Sequence, residues 1–196
     1  IGRLVDNELD GLMETLDRLA PLANLPVRTY APSFNPAGTR LAFAVHPSSQ
    51  PNGRDTTLVA DYVAGTLTNP VLLASIPGNA PSLGPNDLAV FEASGEIFWV
   101  QLPALGFPQD AVQLTQSGRH AHGPAISPDG KLAAWIDDRG FLTLTLLRDG
   151  NGVRLLGGVV SGHVAWSPAG DELVIADNTI SGNARLRLVT NLPLAR

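Results

Sequence analysis

The residues of this chain best suited to chemistry are its four histidines, His46, His120, His122 and His163. In His120-Ala-His122 two imidazoles stand two positions apart, so on a strand both rings share one face. His163 opens a later apolar segment. Neutral imidazoles grouped this way could ligate a metal ion. No carboxylate is obviously paired with them, so the chain is read as holding no metal and no cofactor, with His120, His122 and His163 kept as candidate ligands. The other patterns fail. A nucleophile elbow needs Gly-x-Ser-x-Gly, and Ser161-Gly162 lacks the preceding Gly-x. The phosphate loop, the dinucleotide fingerprint and His-Glu-x-x-His are absent. Asp149-Gly-Asn151-Gly152 begins like a calcium loop but has Val153 where a ligand belongs, and suits a hairpin turn. The pair Asp137-Asp138 before Arg139-Gly140 would need a partner across a cleft to act as acid and base; as a tight turn it needs nothing. No catalytic residue is assigned, and the chain is read as not an enzyme.

Composition bounds what can position such residues. The 196 residues are 44% hydrophobic and 16% charged, enough to fold around a core. A net charge of −5 lacks the basic footprint of a nucleic-acid binder. There is no cysteine, which excludes disulfides, thiolate metal sites and a cysteine nucleophile. No apolar run is long enough to span a membrane. Residues 1–26 form a separate segment. Val5, Leu9, Leu12, Leu16 and Leu19 recur at helical spacing, Asp6 suits an N-cap and Pro21 stops the pattern, which predicts a helix over residues 6–20. That helix packs on its own domain or docks on a partner.

From residue 27 onward, short strands and turns take over. Residues 40–45, 88–92, 96–102, 131–136, 141–147, 172–176 and 185–189 are apolar, aromatic or β-branched, and Gly, Pro, Asn and Asp punctuate them. One segment recurs four times: Pro32-Ser-Phe-Asn-Pro36-Ala-Gly38, Pro81-Ser-Leu-Gly-Pro85-Asn-Asp87, Pro124-Ala-Ile-Ser-Pro128-Asp129-Gly130 and Val164-Ala-Trp-Ser-Pro168-Ala-Gly170. The second prolines are spaced by 49, 43 and 40 residues. Proline sets the first turn position and glycine frees a positive φ, so each unit reads as a hairpin. A third strand follows, and a fourth in three units, at 70–74, 111–115 and 152–156. Four antiparallel strands per unit is the period of a propeller blade. Ser127 and Ser167 are then turn residues. Trp135 falls in register with Phe43 and Phe91, and Trp166 with Phe34, Leu83 and Ile126, as packing between blades.

Pro-x-x-Ser-Pro-Asp-Gly-x-x-Leu-Ala resembles the repeat of TolB-type, WD-like β-propellers, and Pro124–Trp135 is its nearest copy here. The resemblance covers about residues 27–191. Pro36, Gly38, Pro85, Pro128, Asp129, Gly130, Pro168 and Gly170 carry it as structural residues. Only Asp129 keeps the acidic partner of the Asp-Gly pair, and the second copy has no glycine. The resemblance implies inner strands that line a channel, so His120, His122 and His163 would approach one mouth. It also implies an extracytoplasmic setting, periplasmic or extracellular, among envelope or membrane-associated complexes.

The expected fold is therefore all-β: a propeller or propeller arc of about four four-stranded blades (about 27–75, 76–118, 119–158 and 159–196) behind the N-terminal helix. For a closed ring, residues 27–30 are the candidate closing strand, lying beside the last blade. A closed ring, an open arc completed by a partner, and a piece of a longer chain all remain open. The favoured function is a non-enzymatic protein–protein interaction module, a subunit or domain of a larger assembly that does not itself span a membrane. One alternative is a propeller that gates or positions substrate for a catalytic domain elsewhere in a longer chain. Another is a binder of a small ligand or sugar at the channel mouth.

Overall fold

A computed structural model describes residues 27–47, 54–102, 110–116, 118, 120–148, 152–156, 163–178 and 184–192. The expected helix over 6–20 lies outside the described residues, as do 149–151 and 161–162. The described strands form four antiparallel sheets. The first holds β1 (Val27–Phe34), β2 (Arg40–Pro47), β3 (Thr56–Val63) and β4 (Thr66–Leu72) in that order. The second holds β5 (Asn79–Leu83), β6 (Leu88–Ala93), β7 (Glu96–Gln101) and β8 (Val112–Gln113). The third holds β9 (His122–Ile126), β10 (Leu132–Ile136), β11 (Leu142–Leu146) and β12 (Gly152–Leu156). The fourth has three described strands, β13 (Val164–Trp166), β14 (Leu173–Asn178) and β15 (Ala184–Val189).

Each repeated turn closes a β-hairpin, and three copies do it alike. Gly38, Gly130 and Gly170 have φ of 68°, 72° and 75°, and their N–H groups donate to Asn35, Ser127 and Ser167 carbonyls at 2.9 Å. That is a tight turn ending in a left-handed residue. The second copy solves the same problem without glycine. Asn86 and Asp87 take φ of 54° and 57°, and Leu88 N–H donates to the Pro85 carbonyl at 3.1 Å. Asn and Asp tolerate that region better than other side chains. The turns also touch one another: a Cβ on Gly130 would meet Pro85 Cγ at 3.0 Å, and one on Gly170 would meet Pro128 Cδ at 3.4 Å.

The core is a stack of layers between sheets: the first three sheets bury both faces and the fourth buries the face turned to the third. Ala42, Val59 and Leu73 of the first sheet pack on Ala89, Phe91 and Val100 of the second. Val90 and Ile97 on the opposite face of the second pack on Ile126, Ala133 and Trp135 of the third. Ala125, Ala134 and Leu144 on the opposite face of the third pack on Val164, Leu173 and Ile175 of the fourth. Polar ties cross the same boundaries. Ser33 Oγ accepts from Leu83 N–H at 3.0 Å, Ser82 Oγ accepts from Ile126 N–H at 3.1 Å, and Trp166 Nε1 donates to the Ala125 carbonyl at 2.9 Å. Trp135 Nε1 donates to Thr145 Oγ1 at 2.8 Å within its own sheet.

The first strands β1, β5, β9 and β13 are neighbours in sequence order, so they line the inside of the arc. No comparable packing joins β13 to β1 among the described residues. The expectation that residues 27–30 lie beside the last sheet is not met: Val27, Arg28, Thr29 and Tyr30 pair with Pro47, His46, Val45 and Ala44. The cause is local. Only residues 35–39 separate β1 from β2, and so short a hairpin loop closes at far lower entropic cost than a whole ring. Among the described residues, no helix is long and apolar enough to cross a membrane.

Candidate functional site

The two ends of the arc differ. At one end lie the repeated proline turns. At the other, each inner strand begins beside the end of its second strand, and there each sheet presents something different. Every one of β1, β5 and β9 carries an irregularity near its start. Ala31, Ala80 and Gly123 take φ of 51°, 46° and 55°, each immediately before a proline. These left-handed residues break the strand alternation just after Tyr30, Asn79 and His122.

The three side chains so placed meet two carboxylates. Asp55, just ahead of β3, accepts from the Tyr30 hydroxyl and from Asn79 Nδ2, the latter at 3.4 Å. Its Oδ1 lies 2.8 Å from His46 Nδ1. Burial alone would raise the Asp55 carboxyl, but its hydrogen bonds from Tyr30, His46 and Asn79 outweigh that and hold it below the usual carboxylate range. Burial pushes the Tyr30 phenol up, and its bond to the Asp55 carboxylate adds to the rise. Glu92, at the end of β6, sits 3.9 Å from His122 Nδ1 and accepts from Gly123 N–H. Burial raises its carboxyl, and His122, Gly123 and His120 offset only part of that. Asn79 and Glu92 are themselves partners across β5 and β6. The result is one polar chain from the first sheet to the third.

A cavity of ≈ 540 Å³ opens beside it, between the first and second sheets. Arg54, Asp55, Asn79 and Glu92 line its polar side, with Ile76, Pro77 and Phe98 on the apolar side. Phe98 is held by Phe91 behind it, with ring centroids 5.9 Å apart and 26° between planes. Gly78 fits where a Cβ would fall 2.5 Å from Phe91 Cδ2 and 2.7 Å from the Glu92 carbonyl oxygen. Thr57 Oγ1 donates to the Gly78 carbonyl at 2.8 Å and ties that linker to β3.

The sequence candidates fall as follows. His120 and His122 both approach Glu92, so the carboxylate partner not seen in sequence is Glu92, supplied by the neighbouring sheet. The His120 ring lies against Gly95, whose missing side chain makes the room. His163 stands exposed ahead of β13. Among the described residues, no three His, Cys, Asp or Glu side chains are grouped to hold a metal ion. Asp137 is a turn residue, as its neighbours suggest, but it is 3% exposed rather than solvated. Its Oδ1 accepts from Arg139 and Phe141 N–H groups at 3.0 and 2.9 Å. Ser127 and Ser167 are engaged in their turns, with Oγ donating to Asp129 and Asp171. Pro36, Pro85, Pro128 and Pro168 stand in the turns at the far end of the arc, as do Gly38, Gly130 and Gly170. Asp129 also accepts from Lys131 N–H at 3.1 Å there. Sequence reading missed Tyr30, Asp55, Asn79 and Glu92. The signal available for two of them was Tyr-Ala-Pro32 and Asn-Ala-Pro81, in register with His-Gly-Pro124.

No family model matches the chain, and no curated protein matches it. Solved structures do. A TolB-like protein of Agrobacterium tumefaciens is 18% identical with a TM-score of 0.56, over 84% of this chain and 59% of that one. The Cps50 (Swd1) β-propeller domain of Myceliophteria thermophila is 15% identical with a TM-score of 0.59, over 86% of this chain and 54% of that one. A prolyl endopeptidase is 16% identical with a TM-score of 0.53, over 87% of this chain and 28% of that one. Identities this low show the fold: the chain is an all-β protein of propeller type. It spans between about a quarter and three fifths of the length of these chains.

Proposed function

We propose that the chain is a non-enzymatic protein-interaction scaffold, a subunit or domain of a larger assembly, and that its binding face is the mouth cavity between the first two sheets. The observation that carries this reading is the polar chain from Tyr30 through Asp55, Asn79 and Glu92 to His122, which spans three sheets beside that cavity. A recognition surface needs polar groups held in one geometry before the partner arrives, because immobilising them on binding costs affinity. Here three strands hold them. The carboxylates beside Ile76, Pro77 and Phe98 favour a partner segment that sets a cationic side chain next to an apolar one. The net charge of −5 steers in the same direction.

The test is native mass spectrometry of the protein recovered from its source, at low and high salt, with Glu92→Gln alongside. The scaffold reading expects a larger complex that loosens in salt and is weaker in the variant. A chain that travels alone at low salt refutes it. Thermal stabilisation by small amines in place of any complex would move the assignment to a small-ligand site, which the same cavity could hold. An extracytoplasmic setting belongs to the same proposal, supported by the repeat's resemblance and by the fold likeness to a TolB-like protein. Cell fractionation decides it.

A further inference from the structure

One side-chain triplet recurs through the molecule. Across the first three strands of each sheet, strand register aligns one residue from each. In the first sheet these are Ser33, Ala42 and Val59; in the second, Ser82, Val90 and Trp99. In the third they are Ala125, Ala134 and Leu144. Each triplet faces the next sheet. The third is sealed by Val164, Leu173 and Ile175, leaving Ala134 0% and Leu144 3% exposed.

The fourth sheet has the same triplet: Ala165 pairs with Val174, and Val174 with Leu188. It differs from the third only by valine in place of the middle alanine. Its burial is opposite. Ala165 is exposed, Leu188 is 60% exposed, and Leu186 beside it on the same face is 78% exposed. The other face of this sheet is closed against the third through Val164, Leu173 and Ile175.

We propose that the face made by Ala165, Val174, Leu186 and Leu188 is the seat of a fifth propeller-type sheet of this same repeat. The argument is continuity: three successive interfaces use this triplet, and in each the occupant is the next sheet. The occupant is defined by what the existing ones supply. Its first strand carries an apolar residue in the place of Leu83, Ile126 and Trp166, and its second strand one in the place of Phe91, Trp135 and Ile175. A second copy of this chain fits less well. Docked head to tail, it would have to use its first sheet, where Phe43, Val45 and Leu58 are already buried; docked face to face, it would set this triplet against itself, which none of the three described interfaces does. An exposed leucine pair on a sheet face is also a liability that folded proteins cover.

The experiment adds a probe sheet to the full chain. A second copy of residues 163–192 is joined after Arg196 through a short flexible linker, and amide hydrogen exchange is read over 184–189 with and without it. A parallel extension with a copy of 119–192 brings the probe sheet with its natural neighbour, in case the single sheet does not fold. The expected result is slower exchange over 184–189 by about tenfold or more in at least one extended chain, at the scale of local opening reactions. Leu188→Asp should abolish that gain while leaving the unextended chain folded. Unchanged exchange in both extended chains overturns the proposal. So does an unextended chain that is a dimer with 184–189 already protected, since the occupant is then a second copy.

Discussion

The repeated triplet sets up a paired comparison within one molecule. Leu144 and Leu188 occupy the same register position in the third and fourth sheets. Leu144 is 3% exposed and packs among Ala134, Leu173 and Ile175; Leu188 is 60% exposed. Truncating a buried leucine removes its transfer free energy and leaves a cavity, for about 3 kcal/mol. The same truncation at a mostly exposed site costs less than about 0.5 kcal/mol. For a domain of this size the corresponding falls in Tm are about 6–12 °C for Leu144→Ala and below about 2 °C for Leu188→Ala. Differential scanning calorimetry of the two variants beside the parent, each at two protein concentrations, measures both. Equal losses would refute the reasoning. They would mean that the fourth sheet's outer face is already closed in the isolated chain, and that the arc derived from strand neighbours is wrong.

Three further predictions concern the mouth. Gly78→Ala drives a Cβ into Phe91 and the Glu92 carbonyl, and backbone cannot yield as a side chain can; a loss of about 2–3 kcal/mol in urea unfolding is expected, and a neutral variant would contradict the packing. Gly123→Ala and Ala80→Gly should act in opposite directions, since both positions require positive φ: about 1 kcal/mol lost in the first and about 0.5 kcal/mol gained in the second. The two carboxylates should also titrate with opposite effect. Asp55 has a lowered folded-state pKa, so its contribution is present above the ordinary carboxylate pKa and fades as pH falls through the folded value. Glu92 has a raised one, so its ionised form opposes folding once pH rises through that value. Asp55→Asn should therefore lower Tm at neutral pH and Glu92→Gln raise it, both differences shrinking towards pH 3. Shifts of the same sign at pH 7 would break the assignment.

How much of this was legible in sequence depends on range. The proline turns were legible because each is local: Ser127-Pro-Asp-Gly130 contains every atom its turn needs, and β12 follows at 152–156 as expected. The sequence pattern places the fourth strand of the first sheet at 70–74, too late, since β4 covers Thr66–Leu72 and starts straight after the Ala64-Gly65 turn. The third strand of the first sheet, β3, was not singled out, for its centre Leu58-Val-Ala60 alternates with nothing polar. It is buried on both faces, and such strands lose the period-two signal. The carboxylate site was hidden for a different reason. Asp55 lies 24 residues from Asn79, and Glu92 lies 30 from His122. Their meeting depends on which sheet neighbours which, and no spacing along the chain encodes that.

The placement of that site follows from what the repeat leaves unspecified. At the turn end, the four units repeat Asn-Pro, Gly-Pro, Ser-Pro and Ser-Pro, and those residues are occupied in closing hairpins and touching the next turn. A surface that repeats offers every partner the same contact several times. At the opposite end the units share a backbone device but not a side chain. A left-handed residue before proline recurs at 31, 80 and 123, while the residue it displays changes from Tyr30 to Asn79 to His122. Holding alanine at positive φ at 31 and 80 costs about 1 kcal/mol each, which the turns and interlayer packing must offset. The fourth unit replaces that proline with Val164, and His163 ahead of it is not among the described residues at positive φ. The device therefore runs through the three sheets that share the Asp55–Glu92 chain and stops where the chain stops. That coincidence fits the proposed binding face, for which the distorted strand starts display the mouth residues; the described strands of the fourth sheet join the arc with no left-handed residue at 163.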